Sequence, residues 1–216
     1  ERDDVDLVAV CRRDAEQLRV VADHFEVPER FTDYGEMLEQ TDLDAVLVAT
    51  PHALHYEQGK QALERGMHVL MEKPMALKAS EADELVGMAS ERGLTLLTAL
   101  NPPFWKHAHV ARLAISRGKI GDLEAVSLHW TGTVDARYGK VPMPEDMPGV
   151  VKPTLYRADP VLNGGGFFID GGAHLVSELL WVTGLQARSV SAQMDDPVWD
   201  MRASVQVMFS DRVIGE

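Results

Sequence analysis

Two residue types capable of acid–base chemistry lie four positions apart after a cluster of glycines. The cluster is Gly164-Gly165-Gly166, and Asp170 and His174 follow it at positions i and i+4. Side chains at this spacing project from one face of a helix, and glycines let the backbone approach a ligand closely. A carboxylate and an imidazole placed in this way can orient a substrate hydroxyl and take its proton. The alternative is that Asp170 only caps a helix while His174 fills a polar pocket.

A second group of polar residues follows the predicted buried strands. In an open parallel sheet, ligands bind outside the carboxyl ends of the strands. The residues at those positions are Arg12-Arg13, Thr50-Pro51, Glu72-Lys73-Pro74 and Asn101-Pro102-Pro103. Lys73 is the most informative, because a lysine is seldom buried unless it is paired. The alternative is a solvated lysine in an ordinary turn.

The elements that must position these residues divide the chain into two predicted domains. Over residues 1–100, short apolar runs alternate with amphipathic helical stretches, which predicts parallel strands joined by crossover helices. The predicted strands are Val5–Cys11, Asp44–Ala49, Met67–Met71 and Leu94–Leu100. The first predicted helix begins at Asp14, and the next two span Tyr34–Glu39 and His52–Arg65. A fourth helix is predicted from Ser80 to Gly93, because Ser80 and Asp83 resemble a capping box and Gly93 can end a helix.

The pattern changes over residues 101–216, which predicts a second α/β domain with an open sheet. The predicted elements are a helix over His109–Arg117, a strand over Leu123–Trp130, a helix over Gly171–Trp181, and strands over Ala187–Met194 and Met201–Phe209. The Pro- and Gly-rich stretch Thr131–Pro160 is predicted to be a long loop beside a binding site. So few strands would leave an open sheet edge, so we expect the C-terminus to be truncated.

Composition narrows the class of protein. The chain has 216 residues, 45% of them hydrophobic, which is typical of a globular protein with a substantial core. Its net charge of -13 argues against nucleic-acid binding, although solubility alone accounts for it. Cys11 is the only cysteine, and no apolar run reaches the roughly 20 residues of a membrane span. We therefore expect a soluble cytoplasmic protein without a membrane partner.

These features together resemble the glucose-fructose oxidoreductase / inositol dehydrogenase (Gfo/Idh/MocA) family. Apart from the glycine-to-His174 cluster, the matching stretches are Val5–Cys11, Ala49–Pro51 with His55, His68–Pro74, Gly118–Gly121 and Tyr156-Arg157. The resemblance implies a Rossmann-type parallel sheet followed by an α/β domain with an open, mostly antiparallel sheet. That sheet would bind substrate on one face and often a second subunit on the other, as in a homodimer or homotetramer.

The resemblance also implies roles for individual residues. Lys73 would contact both the nicotinamide ribose and the substrate hydroxyl, Asp170 would hold the substrate, and His174 would accept or donate the proton. The residues expected to line the cofactor are Thr50, Pro51, His55, Glu72, Lys73, Pro74 and Asn101. The cofactor would supply the redox chemistry.

The sequence departs from the family pattern at two places. The Gly-x-Gly-x-x-Gly turn that binds pyrophosphate is absent, so we expect the first nucleotide-binding segment to be missing. The family often has an arginine two residues after the position of Asn101, whereas this chain has Pro103.

The residues after the first strand favour one dinucleotide. Arg12 stands where the family commonly has aspartate, and Arg13 follows it. A guanidinium can bind a 2′-phosphate bidentately, so the sequence favours NADP, with NAD as the alternative if Asp14 takes the acidic role.

The functional prediction is an NAD(P)-dependent oxidoreductase acting on a secondary alcohol of a sugar, polyol or sugar acid. One alternative is a glycosidase of the same family that uses transient oxidation. Another is a non-catalytic sensor of dinucleotide or sugar.

The pairs His52 with His55 and His107 with His109 suggest a metal site only weakly, because their spacing is generic. Trp130, Trp181 and Trp199 are interpreted as core or interface residues.

Overall fold

The computed structural model describes residues 4–146 and 149–216. Its N-terminal part contains parallel strands and the helices that connect them. These elements are β1 (Ala9–Cys11), α1 (Ala15–His24), β2 (Glu29–Phe31), α2 (Tyr34–Gln40), β3 (Ala45–Val48), α3 (His55–Glu64), β4 (His68–Met71), α4 (Ala79–Arg92) and β5 (Leu96–Thr98). A turn of 3-10 helix over His52–Leu54 precedes α3.

The parallel strands form two separate groups in the described part of the chain. β1 pairs with β2, and β3, β4 and β5 form a second sheet with β4 at its centre. β2 was missed by the sequence interpretation, because Glu29–Phe31 is short and contains no apolar run. Its pairing with β1, with Ala9 opposite Glu29, defines it as a strand.

One face of the three-stranded sheet forms the main core. Alternate side chains of β3 and β4 point to this face, where Val46, Val48, Val69 and Met71 are buried. They pack with Leu63 of α3 and other buried residues in one apolar cluster. On the opposite face, Leu47 and Leu97 are exposed. The alternation follows from the two-residue period of a strand.

The C-terminal part combines helices with a mostly antiparallel sheet. Its elements are α5 (Lys106–Ser116), β6 (Ala125–Val126), α6 (Pro160–Asn163), α7 (Ala173–Thr183), β7 (Ala187–Met194), β8 (Ala203–Phe209) and β9 (Ile214–Gly215). The order of the sheet is β6-β9-β8-β7, in which only the short pairing of β6 with β9 is parallel. This arrangement confirms the predicted fold class.

Several predicted boundaries were wrong. β1 and β5 are shorter than predicted, and the strand expected over Leu123–Trp130 is reduced to β6. The capping box was also wrong, since α4 begins at Ala79 and Lys78 caps it without a side-chain hydrogen bond. Ser80 therefore lies inside the first turn.

The helices of the second half also differ from the prediction. α5 begins at Lys106, three residues before the predicted start, and Trp105 is its N-cap residue. The predicted loop Thr131–Pro160 contains a 3-10 turn over Tyr156–Ala158, and residues 147–148 of that loop lie outside the described residues. The helix expected from Gly171 begins as a π-type turn over Phe168–Gly172 that leads into α7. None of the helices in the described ranges combines the length and apolar character that crossing a membrane requires.

Gly166 lies where two backbone segments meet, and its lack of a side chain generates the first prediction. A Cβ atom at Gly166 would lie 1.4 Å from the backbone oxygen of Trp199. Gly166→Ala is therefore expected to lower the free energy of unfolding by about 2–3 kcal/mol, because backbone would have to move. Urea denaturation measures this change. Gly87→Ala is the control, since its Cβ would meet no atom within 4 Å and should stabilise α4 by about 0.5–1 kcal/mol. Equal stability of the two variants would contradict the prediction.

Candidate active site

Lys73 lies immediately beyond the carboxyl end of β4, and its ammonium reaches the C-terminal half of the protein. The residue is 9% exposed. Its Nζ donates to the backbone oxygen of Asp170 at 2.9 Å and to the Oδ1 atom of Asp170 at 2.5 Å. The peptide bond between Lys73 and Pro74 is cis. The lysine is thus buried and paired, as its position after a buried strand required.

Asp170 sits in the π-type turn before α7 and holds two cations. Besides Lys73, Arg157 donates from Nε to its Oδ2 at 2.6 Å. The Tyr138 hydroxyl lies 3.5 Å from the same oxygen. Burial alone would raise the pKa of the Asp170 carboxyl, but the hydrogen bonds and charges of Arg157 and Lys73 outweigh it and lower the pKa to about 2. Asp170 is therefore an anion at every physiological pH.

His174 lies one helical turn after Asp170, at the start of α7. Its Nδ1 atom is buried and has no hydrogen-bond partner among the described residues. Burial lowers the pKa of His174, and the Lys73 ammonium lowers it further against smaller opposing effects of Asp170 and Glu72. The imidazole is therefore neutral near pH 7. An unpaired, neutral imidazole nitrogen can accept a proton.

These three side chains line one cleft of about 840 Å³, a size typical of small-molecule sites. The cleft also brings in two of the predicted cofactor residues, Glu72 and Asn101. Its remaining lining residues are Ala99, Trp105, His107, Leu128, His129, Trp130, Val134, Arg137, Arg157, Phe167, Gly171, Leu175 and Glu178. The other predicted residues are outside the described lining of this cleft, namely Arg12, Arg13, Thr50, Pro51, His55 and Pro74.

His55 lies between the turn that follows β3 and the turn that follows β4. The residue is fully buried, and its Nδ1 and Nε2 atoms lie 2.7 Å from the oxygen of Pro74 and 2.9 Å from the oxygen of Thr50. The Thr50 hydroxyl donates a hydrogen bond to the Oε1 atom of Gln58 at 2.6 Å. The ring therefore joins the turn after β3 to the turn after β4.

Arg12 and Arg13 lie at the end of β1 in different surroundings. Arg12 is half-buried, its Nη2 donates to Gln17, and its Nε is buried without a hydrogen-bond partner among the described residues. Arg13 is exposed. Both carboxylate oxygens of Asp14 are used by Gln17, at 3.0 Å and 3.1 Å, as the N-cap of α1. Asp14, the acidic side chain nearest the end of β1, therefore serves to cap α1.

Arg157 and His52 both contact the site, although the sequence pattern predicts no role for Arg157 and indicates His52 only as a candidate metal ligand. His52 is buried, with its Nδ1 2.9 Å from the oxygen of Asn163 and its Nε2 3.1 Å from the hydroxyl of Tyr156. Burial lowers the pKa of His52 to about 4, against the raising effects of Asn163 and Asp170. No local pattern indicates these contacts, because their partners lie far along the chain.

Glu178 was also missed, and here a signal was present. Asp170, His174 and Glu178 are spaced at i, i+4 and i+8, so the helical face that carries the first two continues to the third. Glu178 is 7% exposed and pairs through Oε1 with the Nε2 atom of His107 at 2.9 Å. The cleft thus has a second polar end beyond His174.

The histidine pairs considered as metal ligands serve other contacts. His107 pairs with Glu178, and the ring of His109 packs edge-on against Trp181 with centroids 4.9 Å apart. Among residues 4–146 and 149–216, no group of three or more His, Cys, Asp or Glu side chains is arranged to hold a metal ion.

Comparison with known proteins places this arrangement in a family. Residues 1–100 match the model of the GFO_IDH_MocA oxidoreductase family with an NAD-binding Rossmann fold, and residues 109–216 match the GFO/IDH/MocA C-terminal domain. The chain belongs to this family. The crystal structure of an oxidoreductase domain protein from Kribbella flavida superposes with a TM-score of 0.81 and 28% identity, over 97% of this chain and 57% of the other.

Two curated relatives show the range of the family. The chain is 30% identical over 192 residues to the D-glucoside 3-dehydrogenase of Escherichia coli K12, covering 88% of this chain and 50% of that protein. It is 36% identical over 102 residues to the NADP(+)-dependent scyllo-inositol 2-dehydrogenase of Bacillus subtilis, covering 47% of this chain and 31% of that protein. The matched part thus spans half of these relatives or less.

The cluster around Asp170 generates the second prediction. Its folded-state pKa lies below the ordinary 3.8, so the ionised carboxylate contributes stability above about pH 4 that is lost as the pH falls toward 2. Asp170→Asn is expected to lower the free energy of unfolding by about 3–5 kcal/mol at pH 7, because Lys73 and Arg157 lose their anion. Urea denaturation between pH 7 and pH 2 should show the difference from wild type shrinking below pH 4.

Asp122→Asn serves as the control, because Asp122 is exposed before β6. It should leave stability within about 0.5 kcal/mol of wild type. A constant difference between Asp170→Asn and wild type down to pH 2 would contradict the assignment of the low pKa to Asp170.

Proposed function

We propose that this protein is an NAD(P)-dependent oxidoreductase that moves a hydride between a nicotinamide and a secondary alcohol of a sugar, polyol or sugar acid. The observation that carries the proposal is the meeting of Lys73, Asp170 and His174 in one cleft. The alignment with a D-glucoside 3-dehydrogenase over most of the chain makes D-glucosides the first substrates to test.

In this proposal His174 is the base. A hydride leaves a carbinol carbon readily only as its hydroxyl loses a proton, so an acceptor must lie next to that hydroxyl. The lowered pKa keeps His174 neutral, and its side chain lines the cleft in which a substrate would lie. A neutral imidazole has one ring nitrogen free to accept a proton from a substrate hydroxyl.

Lys73 provides the positive charge beside the reacting oxygen. Two of its three N–H donors point to Asp170, which leaves one for a substrate oxygen. Asp170 and Arg157 hold the ammonium in place, and a fixed cation stabilises negative charge developing on that oxygen without reorganisation. In the reverse reaction the same groups would polarise a carbonyl.

The residues near the strand ends fit a dinucleotide. When bound, the nicotinamide supplies the hydride acceptor. Glu72 and Asn101 line the cleft on the side of the parallel sheet, and Thr50 and Pro51 precede the helical turn after β3. Arg12 lies half-buried at the end of β1, where a guanidinium can bind a 2′-phosphate bidentately, and this position supports NADP over NAD.

We also propose the division into a dinucleotide domain over residues 1–100 and a substrate domain over residues 101–216. The two family-model matches, which end and begin near this boundary, support it. A second subunit, in a homodimer or homotetramer, would cover the exposed sheet side chains Met208 and Ile214.

The third prediction concerns the acid–base pair. In the native protein, Lys73→Met and His174→Ala are each expected to lower turnover of a D-glucoside by about two to four orders of magnitude, with cofactor binding largely retained. As the pH is lowered, kcat/KM should fall with a midpoint below 6.5, the ordinary pKa of histidine, because the pKa of His174 is lowered.

Matched controls separate these effects from general damage. Lys78→Met and His109→Ala change the same residue types at exposed positions outside the cleft lining and should retain near-normal turnover. Near-normal turnover in Lys73→Met and His174→Ala would defeat the mechanism. Aglycone release without net NAD(P)H formation would instead identify the glycosidase alternative.

The fourth prediction concerns the dinucleotide. If Arg12 binds the 2′-phosphate, kcat/KM with NADP should exceed that with NAD, and Arg12→Asp should reverse the ratio, because an acid accepts from ribose hydroxyls and repels phosphate. Arg19→Asp, on the exposed side of α1, is the control and should leave the ratio unchanged. A clear NAD preference in the unmutated protein would show that the arginine argument is wrong.

A further inference from the structure

A second cavity adjoins the cleft that holds Lys73, Asp170 and His174. It has a volume of about 510 Å³ and shares three wall residues with the first cleft, namely Trp130, Val134 and Phe167. Lys73, Asp170 and His174 do not line this second cavity within the described residues. The two spaces are therefore neighbours, and only one of them contains the reacting groups.

The shared wall is aromatic. The rings of Trp130 and Phe167 stack with centroids 5.0 Å apart and planes at 20°. Trp130 is 49% exposed, so much of its indole is accessible to a ligand. Trp199 adds another indole to the lining of the second cavity. Aromatic faces of this kind match the apolar C–H face of a sugar ring.

Some polar groups at the rim of the second cavity form hydrogen bonds within the protein, and others are free to bind a ligand. Asp195 accepts from the Arg202 amide at 2.9 Å, and Asp196 accepts from the Trp199 amide at 2.8 Å, so these two carboxylates shape the backbone of the rim. The side chains of Asp135 and Lys140 also line the cavity, and neither has a hydrogen-bond partner among the described residues. A carboxylate and an ammonium together can accept from and donate to sugar hydroxyls.

We propose that the second cavity binds a second sugar ring, so that the preferred substrates are disaccharides or larger glycosides. One ring would present its carbinol to His174, and the next ring would pass the Trp130–Phe167 wall and engage Asp135 and Lys140. The inference rests on the proposed function, because that function defines which ring reacts. A polyol or free monosaccharide would leave the second cavity unused.

The test measures binding and turnover separately. The probes are methyl β-D-glucoside, cellobiose and maltose, and binding to the native protein is followed by tryptophan fluorescence, since Trp130 and Trp199 line the second cavity. At least one disaccharide is expected to bind about tenfold more tightly than methyl β-D-glucoside, as two additional hydrogen bonds would allow. The charge-neutral double variant Asp135→Ala/Lys140→Ala should abolish that advantage and leave methyl β-D-glucoside binding within about twofold.

The control is Lys119→Ala/Asp122→Ala, which makes the same changes at exposed positions in the lining of neither cavity. It should retain the disaccharide advantage. The inference is overturned if neither disaccharide binds more tightly than the one-ring probe, or if the cavity variant weakens all three probes equally. NAD(P)H formation tests the proposed function independently: disaccharide binding that depends on Asp135 and Lys140 without any cofactor reduction would sustain the second-ring site and refute the oxidoreductase.

Discussion

The ammonium group of Lys73 is nearly removed from water, and much of the site depends on how this charge is compensated. Asp170 provides the compensating carboxylate, and Arg157 binds the same carboxylate from another segment. Buried ion clusters of this kind rarely add much net stability, since the desolvation of each charge offsets their attraction. Removing one charged partner costs much stability, however, because the other charge is left buried and unpaired. The cluster therefore favours one arrangement of the turn after β4 against the turn before α7.

That arrangement determines the electrostatics of the neighbouring imidazole. Burial and the Lys73 ammonium both lower the pKa of His174, whereas the Asp170 carboxylate that holds Lys73 acts in the opposite direction. A neutral imidazole next to an ammonium group is suited to taking a proton from a hydroxyl whose oxygen becomes more negative. The same pair would be of little use to a protein that only senses a sugar, because binding requires no base.

Two other buried histidines have a structural part in this site. His55 joins the turns after β3 and β4, and His52 joins the parallel half to the segments that contain Asn163 and Tyr156. Both rings are occupied by backbone or phenol oxygens. They keep the strand ends and the glycine cluster in register, so that Lys73 meets Asp170 rather than solvent.

The sequence by itself determined the local features of this protein. Apolar periodicity predicted the parallel strands and most helices, residue types at the strand ends singled out Lys73, and the i, i+4 spacing singled out Asp170 and His174. These features depend on neighbours within a few positions, which is the range over which strand and helix periods operate. The same logic extended by one turn would have found Glu178. Local periodicity could not predict the short strand β2 or the start of α4, because these are defined by strand pairing and packing.

Only the tertiary structure decided which side chains meet. The Lys73–Asp170 pair joins residues 97 positions apart, and the His52 contact with Asn163 joins residues 111 positions apart. No periodicity carries information over such separations. Arg157 has no local signature that distinguishes it from a surface arginine, and the exposure of Trp130 follows from the path of the loop beside it. Long-range contacts form because buried charges and polar atoms must find partners, and the fold determines which partners are within reach.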